Sequence, residues 1–352
     1  MNKPAELKID KRKVGPGHPV FIIAEMSGNH GQSFNKAKKI VDAAARAGVD
    51  AIKLQTFKPD EHTLDCDNKY FQVKINKAWK GETLYSLYKK VYTPWEWQAK
   101  LKKYAESKGL ICFSAPGHES AVDFLEKIKV PVYKVASFDI VDPALLKRIG
   151  RTKKPVIISR GLASVEDIKF AIKTLRSAGC PAVAVLHCIS SYPAKLEQMN
   201  LLTVPDIVKR FGVVSGLSDH SLGLTASLTA VALGASIIEK HVILSRKDGG
   251  PDAEFSLEPR EFKELVQSVR EIEKVLGEVS YKVGKHEAQN IIFRRSLFVV
   301  ENINKDEKFT KKNIRSIRPG YGLPPKELPK VLGKKATKDI LRGTPLDHTL
   351  FQ

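Results

Sequence analysis

Several features are scarce in this chain of 352 residues, and each scarcity excludes something. It has four cysteines, Cys66, Cys112, Cys180 and Cys188, with no C-x-x-C pair and no density of the kind a disulfide scaffold needs. Reduced thiols in a cytoplasm are expected, with Cys112 and Cys188 serving as small apolar residues inside strands. No apolar run is long enough to cross a bilayer. The first residues, Met1-Asn2-Lys3-Pro4-Ala5-Glu6, lack the apolar region of a signal peptide. No glycine-rich phosphate turn follows the first strand candidate, where Ser27-Gly28-Asn29-His30-Gly31 stands instead. Acidic residues are outnumbered, leaving a net charge of +20. The lysines are spread along polar helix faces, without zinc-finger spacing, aromatic RNA-binding signatures or a recognition helix, so no nucleic-acid partner is expected. A basic surface that attracts anionic substrates fits better.

Apolar content is ample, at 42% hydrophobic residues, and it is periodic. Short apolar runs at 20–24, 51–54, 110–113, 132–136, 155–159, 182–187, 213–217 and 236–239 read as buried parallel strands. Amphipathic segments separate most of them. One at 35–47 places Ala37, Ile40, Ala44 and Ala47 on one face and stops at Gly48; another at 94–108 opens on Pro94 after Thr93 and ends at Gly109. A third, 164–178, has Ser164 and Asp167 spaced as a capping box. Eight strands alternating with helices over about 260 residues match a (β/α)8 TIM barrel; a doubly wound sheet is the alternative. The stretch 58–92 is too long for a strand-to-helix loop and is expected to cover the barrel mouth. The pattern changes after Gly284. A barrel over 1–284, a linker over 285–295 and a small β-rich module over 296–352 are expected, residues 285–352 holding 15 Lys+Arg against 7 Asp+Glu.

Chemistry in such a barrel gathers at the C-terminal ends of the strands. Those ends carry Glu25; Lys53 and Gln55; Ser114; Lys134, Ser137 and Asp139; Ser159 and Arg160; His187 and Ser190; Ser218 and His220; and Glu239 and His241. Lysines and hydroxyls converging on one mouth make a phosphate or carboxylate site. The carboxylates add acid–base capacity. His220 and His241 end consecutive strands, and imidazoles so presented can share a divalent metal, although either can also be an ordinary hydrogen-bonded histidine.

These residues resemble a known family. Ala24-Glu25-Met26-Ser27-Gly28-Asn29-His30, Lys53-Leu54-Gln55-Thr56, Lys134-Val135-Ala136-Ser137-Phe138-Asp139, Leu186-His187-Cys188, Ser191-Tyr192-Pro193, Gly216-Leu217-Ser218-Asp219-His220, Glu239-Lys240-His241 and Gly250-Pro251-Asp252 are similar to the sialic acid synthases. That family condenses phosphoenolpyruvate with an N-acetylated sugar aldehyde to make nonulosonic acids. The C-terminal stretch with Ile317-Arg318-Pro319-Gly320-Tyr321-Gly322-Leu323 resembles the family's antifreeze-like (SAF) domain. The Met-Ser after Glu25 and Tyr92-Thr93-Pro94-Trp95-Glu96-Trp97 are most similar to the pseudaminic acid synthase branch, with N-acetylneuraminate and legionaminic acid synthases as alternatives.

The resemblance implies a division of labour. Lys53, Lys134, Ser137, Ser159 and Ser218 would hold the donor's anionic groups, with Ser190 and Tyr192 beside them. His220 and His241 would bind a divalent metal, manganese or magnesium, although imidazoles also suit zinc. Glu25 would orient sugar hydroxyls, Asp139 would handle protons, and Gln55, Asp252 and Arg318 would contact the sugar. Because Arg318 lies in the small module, a domain-swapped homodimer is implied. Three positions depart from the family pattern: Asp139 stands where glutamate is usual, Ser114-Ala115-Pro116 where Ser-Thr-Pro is common, and Ser159-Arg160-Gly161 where Ser-Thr-Gly is common. Two other readings are a metal-dependent barrel aldolase with a different donor and a non-catalytic basic binding protein.

Overall fold

A computed structural model describes residues 5–74 and 81–352, and the chain divides into two units, Met1–Gly277 and Glu278–Gln352. In the first unit a hairpin, β1 (Leu7–Ile9) and β2 (Arg12–Val14), precedes a closed parallel barrel. The barrel strands are β3 (Phe21–Glu25), β4 (Ala51–Thr56), β5 (Ile111–Pro116), β6 (Tyr133–Val135), β7 (Val156–Ser159), β8 (Val183–Cys188), β9 (Val214–Asp219) and β10 (Ile237–His241). They neighbour one another in sequence order, and β10 closes the ring against β3. All eight lie where the apolar runs predict them. Leu7, Ile9 and Val14 share one buried cluster with Phe21, Val156, Val183, Val214 and Ile237, each the first residue of a barrel strand. The hairpin therefore plugs the N-terminal end of the barrel and leaves the opposite end for the site. Each fully buried aliphatic side chain there contributes about 1.5–3 kcal/mol.

The outer helices follow their sequence signals. Helix α1 (Phe34–Ala47) is capped by Ser33, buries Ala37, Ile40, Val41 and Ala44, and ends at a left-handed Gly48. The 58–92 segment holds two short helices, α2 (Pro59–His62) and α3 (Leu84–Val91). In α4 (Trp95–Ser107) Pro94 is the cap rather than the first helical residue, and Gln98 is a buried polar tie. Gln98 accepts from Thr56 Oγ1 at 2.6 Å and donates to Thr93 O at 3.2 Å, fixing α4 against the end of β4. Helices α5 (Glu119–Lys127), α6 (Pro143–Gly150), α7 (Val165–Ser177), α8 (Thr203–Phe211), α9 (Thr225–Ala232) and α10 (Pro259–Leu276) complete the ring. Ser164 and Asp167 form the expected capping box on α7. Among the described residues no helix is long and apolar enough to cross a membrane. The second unit pairs β11 (Ser296–Val299) with β12 (Ile314–Ile317) and has its own core around Leu297, Phe309, Ile340 and Leu346.

Strand alternation puts opposite chemistry on the two faces of β9 and β10. Ser218 and Glu239 line the cavity inside the barrel, whereas Asp219 and Lys240, adjacent in register, turn outward and are fully buried. Lys240 Nζ donates to Asp219 Oδ2 at 2.9 Å and to Ser221 O at 2.7 Å, and Asp219 also accepts from Ser221 N and from the Ser221 and Ser227 hydroxyls. This network pins the two strands just where His220 and His241 emerge. Replacing Lys240 by Met strands a buried carboxylate. Denaturant unfolding is expected to show a loss of about 3–5 kcal/mol, and a loss below about 1 kcal/mol would contradict the network's structural role.

Candidate active site

The C-terminal end of the barrel opens into a cavity of about 510 Å3. Its floor is a cluster of buried charges from four strands. Lys53 Nζ lies 2.8 Å from Glu25 Oε2 and 3.4 Å from Glu239 Oε1, and Lys134 Nζ lies 3.2 Å from the same Glu239 oxygen. Ser218 Oγ donates to Glu239 Oε1 at 2.9 Å. Burial works against the charge on Glu239, but Lys134 and Lys53 outweigh it and hold the carboxyl down to about 2. Burial likewise opposes Lys53, yet the two carboxylates raise it above its ordinary value. Lys134 goes the other way: desolvation exceeds what Glu239 returns, Lys53 repels it, and its pKa is lowered. Lys134 is the under-compensated cation of the floor. The Ser159 hydroxyl lines the same cavity, buried and without a hydrogen-bond partner.

Glu25 lies beneath this floor rather than on the cavity surface. Its Oε1 accepts from Ser27 N at 2.9 Å and Gln55 Nε2 at 3.1 Å, and burial raises its pKa despite Lys53. Gln55, Ser137, Asp139, Tyr192 and Asp252 all line the cavity. Ser190 stands behind Ser137, hydroxyl to hydroxyl at 3.1 Å. Ser27, which the strand-end inventory passes over, also lines it; it donates to Asp252 Oδ2 and sits at φ 47°, a rare angle for a residue with a side chain. Arg318 belongs to the second unit. Arg160 does not reach the cavity; its Nε donates to His187 Nδ1 at 3.0 Å. Asp139 is partly buried, and desolvation together with Asp142 raises its carboxyl to about 7.

His220 and His241 face each other across the mouth with ring centroids 5.4 Å apart. His220 Nδ1 lies 3.0 Å from Ile189 O, which assigns its proton to that nitrogen and leaves Nε2 as the basic one. His241 is kept neutral by burial and by the positive charges of His220 and Lys53, and its Nδ1 is buried without a hydrogen-bond partner. On His220 burial opposes the charge, but the neighbouring Cys188 outweighs it and raises the pKa, so a divalent metal there would displace a proton, whereas His241 already offers a neutral ring. Asp252 Oδ2 lies 3.6 Å from His241 Nδ1. Among the described residues no group of three or more His, Cys, Asp or Glu side chains is clustered to hold an ion.

With this geometry in place, comparison with known proteins is decisive. The family model described as NeuB matches residues 40–281, and that of the SAF domain matches residues 294–349. The chain belongs to the NeuB family. Over 333 residues it is 40% identical to the pseudaminic acid synthase of Campylobacter jejuni subsp. jejuni serotype O:2, covering 95% of this chain and 97% of that one. It is 40% identical over 329 residues to the pseudaminic acid synthase of Helicobacter pylori, covering 93% and 96%. The crystal structure of N-acetylneuraminic acid synthetase from Leptospira borgpetersenii is similar with a TM-score of 0.73 at 33% identity, over 82% of this chain and 95% of that one.

The stretch 58–92 lies over the barrel mouth as expected, but the sequence does not single out the side chains that form this wall of the cavity. Phe57, His62, Leu84, Leu87, Tyr88 and Val91 line it from α2, α3 and the end of β4. A signal existed: Thr83 is an N-cap residue, and Leu84, Leu87, Tyr88 and Val91 follow helical spacing.

Asp139 generates a pH prediction. Its pKa is raised on folding, from 3.8 to about 7, so the folded chain binds this proton more tightly than the unfolded one. The associated stability is fully present below about pH 4 and is lost as pH rises through 7. Asp139→Asn removes that slope. Melting curves are expected to show the variant equal to wild type near pH 4 and about 1–3 kcal/mol more stable at pH 8, partial exposure discounting the full shift. Parallel curves at every pH would contradict the raised pKa.

Proposed function

We propose that this chain condenses phosphoenolpyruvate with an N-acetylated amino-sugar aldehyde, releasing phosphate and forming a nonulosonic acid of the pseudaminic type. The observation that carries this reading is the cavity floor: an under-compensated Lys134, its neighbour Lys53 and the unpartnered Ser159 hydroxyl, below a pair of neutral-capable imidazoles. Such a floor receives a small, highly charged anion. The 40% identity to pseudaminic acid synthases over nearly the whole chain favours that acceptor class over the neuraminate and legionaminate alternatives.

Lys53 and Lys134 neutralise the donor's phosphate and carboxylate, and Ser137, Ser159 and Ser218 orient them. C3 of the enol then attacks the aldehyde carbon of the open-chain acceptor. A divalent ion held by His220 and His241, manganese or magnesium, would supply Lewis acidity toward that aldehyde. Asp252, Gln55 and Tyr192 align the acceptor, and Glu25 holds Lys53 and Gln55 in position from below. Water adds at C2, the bond between C2 and the bridging oxygen of the phosphate ester breaks, and inorganic phosphate departs with that oxygen. Asp139, poised near neutrality, exchanges the protons of these last steps.

Arg318 enters from a second copy of the chain in this reading, as in a domain-swapped homodimer.

Phosphate release tests the reaction. Phosphoenolpyruvate with the altro-configured 2,4-diacetamido-2,4,6-trideoxyhexose is expected to give the highest kcat/KM. The manno isomer and N-acetylmannosamine should be slower, and a chelator should stop all three. Absence of phosphate release with every acceptor, in protein reloaded with divalent metal, would overturn the assignment. The composite site has its own test. Arg318→Ala and His220→Ala chains should each be nearly inactive, and mixing them should restore activity through heterodimers. No recovery despite demonstrated subunit exchange would mean that each module serves its own barrel.

A further inference from the structure

One hydroxyl joins the ends of β3 and β4 to the loop after β10. Ser27 follows β3, Gln55 belongs to β4 and Asp252 lies in that loop, and all three line the cavity. Ser27 Oγ donates to Asp252 Oδ2 and accepts from Gln55 Nε2 at 3.2 Å. Gln55 Nε2 also donates to Glu25 Oε1 at 3.1 Å, and the same oxygen accepts from Ser27 N at 2.9 Å. Glu25 Oε2 faces Lys53 Nζ at 2.8 Å, so this carboxylate meets donors on both oxygens. Direction is therefore set along the chain. A carboxylate can take only the amino end of the Gln55 amide, and the Ser27 hydroxyl, having accepted there, gives its single proton to Asp252.

Two acceptor oxygens are left over. Among the described residues, Gln55 Oε1 and Asp252 Oδ1 receive no hydrogen bond, and both belong to side chains of the cavity lining. Ser27 itself is buried and holds φ 47°, an angle that glycine adopts more easily than serine. Gly28 beside it has no space for a side chain, since a Cβ there would fall 2.7 Å from Val91 Cβ of α3. The turn would be less strained with glycine at position 27 as well, so what serine contributes is the hydroxyl. We propose that Ser27 is a positioning residue for the sugar: its hydroxyl commits Gln55 and Asp252 to present acceptor oxygens, so that this part of the cavity takes a ligand offering hydrogen-bond donors, the hydroxyl and amide N–H groups of a sugar. A phosphate or carboxylate, which offers only acceptors, is turned away from these two oxygens and left to the lysines of the floor. The inference rests on the proposed use of the cavity by a sugar aldehyde, and it assigns to Ser27 the polarity of that contact.

The test reads binding rather than turnover. Calorimetry on the full-length protein, with manganese present, titrates phosphoenolpyruvate first and then the alditol of the altro-configured 2,4-diacetamido-2,4,6-trideoxyhexose, which is reduced and cannot react. Ser27→Gly keeps the backbone angle and removes only the hydroxyl. It is expected to bind the alditol about 3–10-fold more weakly, the effect of losing one hydrogen bond, and phosphoenolpyruvate as wild type does. Asp252→Asn supplies a readout that a merely structural serine would not move. With Ser27 present, the new amide turns its oxygen to the hydroxyl proton and its N–H groups to the ligand, so alditol affinity should fall at least about tenfold. Without the hydroxyl that amide is free to turn over, and in the Ser27→Gly background the same substitution should cost less than about threefold. Alditol affinity in Ser27→Gly equal to wild type, equal costs of Asp252→Asn in the two backgrounds, or failure of wild type to bind the alditol would each overturn the proposal. Failure of the reaction assignment appears elsewhere, as absence of phosphate release, and leaves this comparison of affinities intact.

Discussion

Four buried charges shape this molecule: Glu25 and Glu239 against Lys53 and Lys134, at the closed end of a cavity 510 Å3 in volume. Taking ionised groups out of water costs several kcal/mol each, and mutual attraction repays that only when geometry is good. The barrel meets the condition by bringing β3, β4, β6 and β10 to a common rim, so that residues far apart in sequence stand within 3.4 Å of one another. Repayment is uneven. Lys53 is doubly paired, whereas Lys134 shares a single carboxylate oxygen with it and remains short of negative charge. A floor with one cation short of negative charge is a favourable setting for an anion.

The same strands bear charge on their other face. Asp219 and Lys240 alternate with Ser218 and Glu239, so β9 and β10 are locked from outside by one ion pair and face the cavity with polar groups inside. Each partner of the outer pair directly precedes a histidine. The pair thereby fixes the strand ends from which the two imidazoles face each other, 5.4 Å between ring centroids. The hairpin plug, the Gln98 tie and the capped helices serve the same end from farther away.

Much of this was legible in the sequence for a physical reason. Parallel barrel strands are buried on both faces, so they appear as unbroken apolar runs, and the polar residues that end each run are the ones the barrel gathers. Lys53, Lys134, Ser159, Glu239 and the two histidines could be placed together on that rule alone. The rule does not say which way a strand-end residue points or how deep it lies. Glu25 sits under the floor because its Oε1 is taken by Ser27 N and Gln55; Ser190 stands behind Ser137; and Arg160 spends itself on His187. Ser27 needs a positive φ that no pattern announces. The stretch 58–92 was legible as a cover for the mouth, but not its lining side chains, because the approach of α3 depends on Gly28 and Gly117, whose meaning is the absence of a side chain in space.

Polar groups at the strand ends and side chains of the segment after β4 meet in one cavity. The account stands or falls on the floor. Calorimetric binding of phosphoenolpyruvate alone to wild type, Lys53→Met and Lys134→Met measures it most directly. A lost charge-assisted contact is worth about 1.5–3 kcal/mol, so each variant should bind the donor at least about tenfold more weakly. Donor affinity equal to wild type in both variants would contradict the account.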